Sequence, residues 1–411
     1  MIALRSLLSA HKTFAVFLVT IVLMEVAHGI ELIALFPLYL RDVMHEGADV
    51  IGVTLSTYLI ADILIRTPAG WGADKWARKP LLIIGVLCSA LPLLVMPYAG
   101  SQFIFLSLNA INGIGAGCIW PAIYAGVADA YPREKYGLVL GIVNMVMLGG
   151  IAIGPIAGGF LLERVSYGNA FTICFAIVAL ALVLVLIFVR EPKSRESAPS
   201  ELDGLRALAA QLNPVLARLL VIGLFLTFAL GMMLPLISLF GKEVLRVSPN
   251  GLAFILIPPG ILTAALIIPA GHYADKRGRY LPLILGLILI AIPFAGAPLS
   301  INPIIVSIGA TIAGIGYALV VPAWNALVMD YIPANARGLF LGAIATAQGI
   351  GLALGPTLGG TLWERVGVYA PFEIAAGFLL MATAVSVWEW RLSRRKTLGR
   401  FRDASRSGVD L

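Results

Sequence analysis

Apolar residues run along this chain in long stretches broken by short polar segments. The two-residue alternation of a half-buried strand is absent. Most stretches reach about 20 residues, the length an α-helix needs to cross a bilayer's hydrocarbon core. The pattern predicts twelve spanning helices, over residues 14–40, 50–70, 80–98, 102–128, 138–161, 169–189, 216–240, 250–270, 280–298, 303–328, 339–362 and 371–390. Most breaks are too short to hold a folded domain. The longest, 190–215, is charged and separates six helices from six. The expected organisation is an all-α polytopic membrane protein. It has one six-helix bundle over 1–189, a linker over 190–215, a second bundle over 216–392 and a basic tail over 393–411.

The two halves repeat one another at an offset of 201 residues. Pro68-Ala69-Gly70 recurs as Pro269-Ala270-Gly271, and Ala73-Asp74-Lys75 as Ala274-Asp275-Lys276. Pro121 and Asp129 recur as Pro322 and Asp330. Gly150, Gly154-Pro155 and Gly158-Gly159 recur as Gly351, Gly355-Pro356 and Gly359-Gly360. Each half has six spans, an even number, so both insert with the same orientation. The expected relation is a pseudo-two-fold axis along the membrane normal. Such a duplication encloses a midplane site between halves that can rock about it.

Composition narrows the class. Of 411 residues, 60% are hydrophobic and only 12% charged, against about 25% charged in an ordinary soluble domain. The net charge of +7 could suggest a nucleic-acid partner. Its placement argues otherwise. If the N-terminus is cytoplasmic, 23 Lys and Arg residues fall on cytoplasmic segments and five on outer loops. The positive-inside rule then places both termini in the cytoplasm. Arg391, Arg394, Arg395 and Lys396 read as a flank that meets anionic lipid heads. Arg5 and Lys12 before the first apolar run imitate a signal peptide. No small-residue cleavage pattern follows, so the segment is expected to be a retained helix. Cys88, Cys118 and Cys174 lie inside apolar runs and have no metal-type spacing.

Residues 70–79, Gly-Trp-Gly-Ala-Asp-Lys-Trp-Ala-Arg-Lys, with a second copy over 271–279, resemble the signature between spans two and three of the major facilitator superfamily. Span count, central loop and repeat extend the resemblance over nearly the whole chain. It implies a monomeric secondary transporter of small molecules in the plasma membrane, working by alternating access without a cofactor. It also implies a cytoplasmic latch made by Gly70, Asp74, Arg78 and Asp129, with a second copy in Asp275, Arg279 and Asp330. The glycines and Pro155 of span five are similar to the family's antiporter motif, which favours export. Because Gly355 and Pro356 repeat the pattern in span eleven, a plain helix-packing seam with no bearing on direction is the competing reading. Span four departs from the family. Asn109 stands where the pattern begins with Arg, which puts that arginine's part in proton coupling in doubt. Acidic residues in span one are similar to those of some proton-coupled multidrug exporters in the family.

Span one carries Glu25, His28 and Glu31. At ~100° per residue the three fall within about 120° of arc, so one face could present them to a central cavity. Charge at such depth costs at least ~2.5–3.5 kcal/mol on insertion scales, so each group must pair, meet water or become neutral. Glu25 is expected to bind a coupling proton, a cationic substrate, or each in turn, with His28 and Glu31 assisting. Span two holds Asp62 and Arg66 one turn apart, a pair that can neutralise itself. Arg66 could alternatively replace the span-four arginine. Polar cavity candidates are Asn109, Asn112, Trp120, Tyr124 and Asn144 in the first half. In the second half they are Thr227, Tyr317, Trp324, Asn325 and Gln348. The membrane-embedded ionisable groups, and with them the coupling chemistry, are expected in the first half only.

The function expected is a proton-coupled efflux antiporter of amphipathic organic compounds. The alternative is an importer or facilitator of a metabolite, or a lipid transporter. An enzyme is not expected. His45-Glu46 lacks the second His of a zinc motif, and there is no P-loop for a pump.

Overall fold

The computed structural model describes residues 2–75, 78–131, 136–189, 214–332 and 337–407. Most of the expected linker lies outside them. Side chains are described from residue 14 onward, save those of 73–77, 128–130, 132–138, 140, 333–339 and 396–407. Twelve helices are long and apolar enough to cross a membrane. They are α1 (Phe14–Asp42), α2 (Ala48–Gly72), α3 (Arg78–Tyr98), α4 (Gln102–Val127), α5 (Gly141–Leu162) and α6 (Tyr167–Phe188) in the first half. The second half has α7 (Pro214–Met233), α8 (Pro249–Arg277), α9 (Tyr280–Leu299), α10 (Pro303–Tyr331), α11 (Phe340–Arg365) and α12 (Ala370–Arg395). The last helix continues to Ser407.

One expected span is shorter in the structure. The seventh ends at Met233 rather than running to 240. Pro235 has no N–H to continue the ladder. The chain turns there and resumes as a short helix over Leu236–Leu239 and a π-helical turn over Phe240–Val244. α1 is irregular at the corresponding depth, where Gly29–Leu35 forms a π-helical segment.

The packing obeys the repeat. In the first half α1 packs on α5 and α6, α4 on α2 and α3, and α3 on α6. In the second, α7 packs on α11 and α12, α10 on α8 and α9, and α9 on α12. The interface between the halves is made by α2 against α11 and by α5 against α8. Adding six to each helix of one pair gives the other, as a two-fold axis between the halves requires.

The glycine motif explains how α1 seats on α5. A Cβ on Gly154 would meet the Gly29 backbone, and one on Gly150 the Cβ of Glu25. In the second half Gly355 meets Gly231 in the same manner, and Gly351 meets Thr227. Glycine is needed at 154 and 355 because the two backbones touch. The seam lies inside each half and occurs in both. It therefore serves helix packing in each half.

The loops α1–α2, α3–α4 and their successors lie on one side of the bundle, here face A. The loops α2–α3, α4–α5 and their successors lie on face B. The halves meet closely toward face A. Cβ atoms on Gly52 and Gly360 would collide with Pro356 and Ala48 across the interface, and Gly349 touches Ile63. Further toward face B they part. Gly342, two turns beyond Gly349 on the same stripe of α11, has nothing near it. Gly149, two turns beyond Ile156 on α5, has nothing either. Among the described residues the halves thus touch toward face A and are separated by open space toward face B, which leaves a groove open to that face.

Candidate functional site

Arg66 continues the stripe of α2 that carries Gly52, Ser56 and Ile63 against α11. Its side chain is 48% exposed, so it stands where the groove has opened. It is held by Asp62, one turn back, through two hydrogen bonds, Nε to Oδ1 at 2.9 Å and Nη2 to Oδ2 at 2.7 Å. The pair expected from the spacing is present. Asp62 is buried.

Glu25 lies on α1 next to Gly150 of α5. It is 6% exposed, and among the described residues no hydrogen bond or ion pair reaches it. Asp62 and Arg66 act on it electrostatically across the helices, and Tyr124 does so from α4. This carboxylate is the least satisfied ionisable group of the groove. Beside it Trp120 and Tyr124 pack with ring centroids 5.6 Å apart and planes tilted by 32°. The Tyr124 hydroxyl donates to Asn144 Oδ1 at 3.4 Å. Trp120, Tyr124 and Asn144 are partly or fully exposed and form an aromatic and amide wall.

Glu31 and His28 do not join that wall. Glu31 is 1% exposed and accepts from Asn112 Nδ2 of α4 at 3.1 Å. His28 Nε2 stands 3.7 Å from Glu31 Oε1, and its ring meets Tyr58 edge-on at 5.9 Å. The expectation of one face carrying all three groups fails. The π-helical turn that begins at Gly29 inserts extra backbone and swings Glu31 into the first half. Asn109 and Asn112 are also corrected from cavity to core. Both are fully buried, and Asn109 Nδ2 donates to the Thr54 carbonyl at 2.6 Å. The residue in the family's arginine position thus ties α4 to α2. Several polar atoms of this enclosed cluster have no hydrogen-bond partner among the described residues: Glu31 Oε2, His28 Nε2, and the Asn109 and Asn112 Oδ1 atoms. Tyr58 belongs to the cluster and was not expected, since a lone Tyr in an apolar run has no motif.

In the second half, Thr227 bonds its own helix at Gly223 O, 2.9 Å away. Trp324 is buried and packs with Gln348 beside Gly223. Tyr317 is partly buried and Asn325 exposed. Thr227 and Glu25 occupy matching places on the glycine seams, so the carboxylate has no counterpart.

The second half is not free of embedded charge, however. Arg218 of α7 pairs with Glu389 of α12, and their side chains are 15% and 3% exposed. Arg218 sits at the very start of its span and Glu389 near the end of its own, where each passes for a loop charge. Pairing between distant helices gave no sequence signal.

The latch residues fall unevenly. Arg279 pairs with Asp330 and also donates to the Ala326 carbonyl at 2.7 Å. Both partners lie in the second half, at face B. Asp275 is exposed and Arg78 partly buried. The side chains of Asp74 and Asp129 lie outside the described residues. Gly70 and Gly271 each face a proline of the adjoining helix, Pro121 and Pro322.

Among the described residues, the ion pairs that join the two halves lie at face A. Arg41 donates to Glu243 at 2.6 Å and stands 3.6 Å from Glu364. Glu364 also accepts from the Ala48 N–H at 2.9 Å. Asp42 pairs with Lys242 and accepts from the Tyr167 hydroxyl, 2.6 Å away. A crevice of about 310 Å³ opens beside them, lined by Leu38, Asp42, Tyr167, Lys242 and Leu252.

The pseudo-symmetric halves, the groove open to one face and the buried acid on its wall are features of an alternating-access carrier. The family model for the Major Facilitator Superfamily matches residues 13–348 and again 245–409. The chain belongs to the major facilitator superfamily. Among curated proteins of this superfamily it resembles multidrug resistance protein 2 of Bacillus subtilis, 23% identical over 88% of this chain and 90% of that one. It is 24% identical to the quinolone resistance protein NorA of Staphylococcus aureus strain Mu50, over 87% and 91%. The multidrug resistance protein MdtG of Citrobacter koseri is 27% identical over 88% and 91%. Two solved superfamily folds overlay on it with a TM-score of 0.76 at 16% identity. One is a mutant of the nucleoside transporter NupG, with 91% of this chain and 99% of that one covered. The other is a bacterial homologue of human Spinster, inward-facing and unoccupied, with 92% and 96% covered. The chain is therefore a multi-pass membrane transporter of the twelve-helix superfamily fold.

Proposed function

We propose that this transporter is a proton-coupled efflux antiporter of amphipathic organic compounds. The observation that carries the reading is Glu25, a midspan carboxylate without a fixed partner on the wall of the open groove. Antiport needs one site that two ligands occupy in turn. A carboxylate bound to no protein group can hold a proton, or release it to face a cationic substrate. The paired rings of Trp120 and Tyr124 offer apolar surface to the substrate body, and Asn144 a hydrogen bond. Arg66, closed on Asp62, is the nearest cation and keeps the groove from being purely acidic. The names of the multidrug resistance relatives agree with a broad organic substrate class.

The charge asymmetry supports face B as the cytoplasmic side, with both termini there, in a plasma membrane. The groove then opens inward, where an exporter collects substrate. The Arg279–Asp330 pair holds the α8–α9 loop to α10 at that face, where a latch between the halves would act when the cytoplasmic side closes. Nothing in the reading calls for a cofactor, a metal, catalysis or a second copy of the chain.

The test is uptake of a fluorescent lipophilic cation into inside-out vesicles under an imposed pH gradient. Wild-type protein should accumulate the probe only with the gradient. Glu25→Gln, inserted at normal levels, should lose gradient-driven accumulation by at least tenfold. Full coupled transport by Glu25→Gln would overturn the assignment. Uptake by the wild type that ignores the gradient would reject proton coupling.

A further inference from the structure

We propose that the face-B end of α12 is a seat for an anionic phospholipid, built from Trp388, Arg391 and Arg395. These residues stand at i, i+3 and i+7, within about 60° of arc on one helix face. Trp388 is 56% exposed, and both arginines are exposed. At ~1.5 Å per residue, Arg391 lies about 4.5 Å and Arg395 about 10 Å further toward face B than the indole. That order suits a lipid, with the acyl boundary at the indole and the phosphodiester between the guanidinium groups.

The protein prepares this face from behind. Arg218 of α7 lies over the Trp388 ring, 5.2 Å from its centroid, and fixes the indole's orientation. Glu389, the neighbouring acid, is 2% exposed and is held by Arg218. It is therefore turned away from the arginines. Among the described residues no ion pair satisfies Arg391 or Arg395. Arg394 points elsewhere, stacked on Trp390 at 5.4 Å. Two unpaired guanidinium groups above an exposed indole, with the local carboxylate sequestered, are complementary to one acidic headgroup. A neutral zwitterionic headgroup would bring its own cation against them.

The full chain in phosphatidylcholine nanodiscs carrying a minor fraction of phosphatidylglycerol tests this. Native mass spectrometry counts the lipids retained, and thermal unfolding reports their effect. Wild-type protein should enrich phosphatidylglycerol and melt higher with it. A surface arginine contributes about fivefold to anionic-lipid affinity, so Arg391→Gln with Arg395→Gln should lower the enrichment about 25-fold. Trp388→Ala should lower retention of both lipids. The control is Lys276→Gln with Arg277→Gln, which removes the same charge from the exposed end of α8 on the same face. It should keep the enrichment. Equal losses in the two double variants would mean diffuse attraction and overturn the site. If inorganic phosphate in place of the lipid raises the melting temperature as far, the seat is an anion site rather than a lipid site, and the proposal also falls.

Discussion

Asn112 on α4 donates its side-chain amide to Glu31 on α1 at 3.1 Å, with both residues shut away from solvent. The bond neutralises half of a problem that the sequence poses at Glu31, since the other carboxylate oxygen has no partner. Removing the donor should be costly. Asn112→Ala leaves a buried acid without its hydrogen-bond donor, at about 1–3 kcal/mol, and should lower the apparent melting temperature by several degrees. Glu31→Gln keeps a carbonyl oxygen for the same amide and should melt close to wild type. Were Glu31 a solvated residue of the outer interface, neither substitution would move the melting point.

The glycine seam makes a sharper contrast. Gly154 and Gly29 touch backbone to backbone, whereas Gly141 on the same helix has open space around it. Gly154→Val should abolish folded protein in detergent, because neither helix can retreat without unpacking the half. Gly141→Ala should be neutral or slightly stabilising, through its gain in helix propensity. Size-exclusion profiles of the two variants decide the matter. Equal damage would mean the seam is not the contact described.

These contrasts indicate what a sequence can disclose. The spans were legible because a bilayer fixes their length. The pseudo-two-fold was legible because the duplicated residues still align without gaps. Asp62 and Arg66 were legible as a pair because helix geometry alone brings i and i+4 together. Glu31 was misplaced because a π-helical turn changes the face without changing the composition. Arg41 and Glu243, or Arg218 and Glu389, come together only through the tertiary fold. Each of these charges alone reads as an interfacial residue.

The Arg218–Glu389 pair should behave as a buried ion pair does. Glu389→Gln or Arg218→Met alone leaves one charge stranded and should cost about 3–5 kcal/mol. The double change removes both charges and should recover much of that loss. Urea unfolding followed by tryptophan fluorescence measures the cycle. Additive losses would show that the two side chains contribute independently.

The face-A ion pairs should set the balance between the two open states. Arg41 reaches Glu243 and Glu364 from the other half, and Lys242 reaches back to Asp42. All of them must separate if the groove is to open toward face A. They sit at a partly exposed surface, so each pair contributes only about 0.2–1 kcal/mol. Arg41 holds two carboxylates, and Arg41→Ala should release about 1 kcal/mol in favour of the face-A-open form. That is about a fivefold shift in population. Spin labels on the α1–α2 and α7–α8 loops should report a longer mean distance in the variant, by double electron–electron resonance in nanodiscs. High salt should move the wild type in the same direction, since it screens exposed pairs. An Arg41→Ala distance distribution that superimposes on the wild type would mean that apolar packing at Gly52 and Gly360 alone holds the halves together. The ion pairs would then be bystanders.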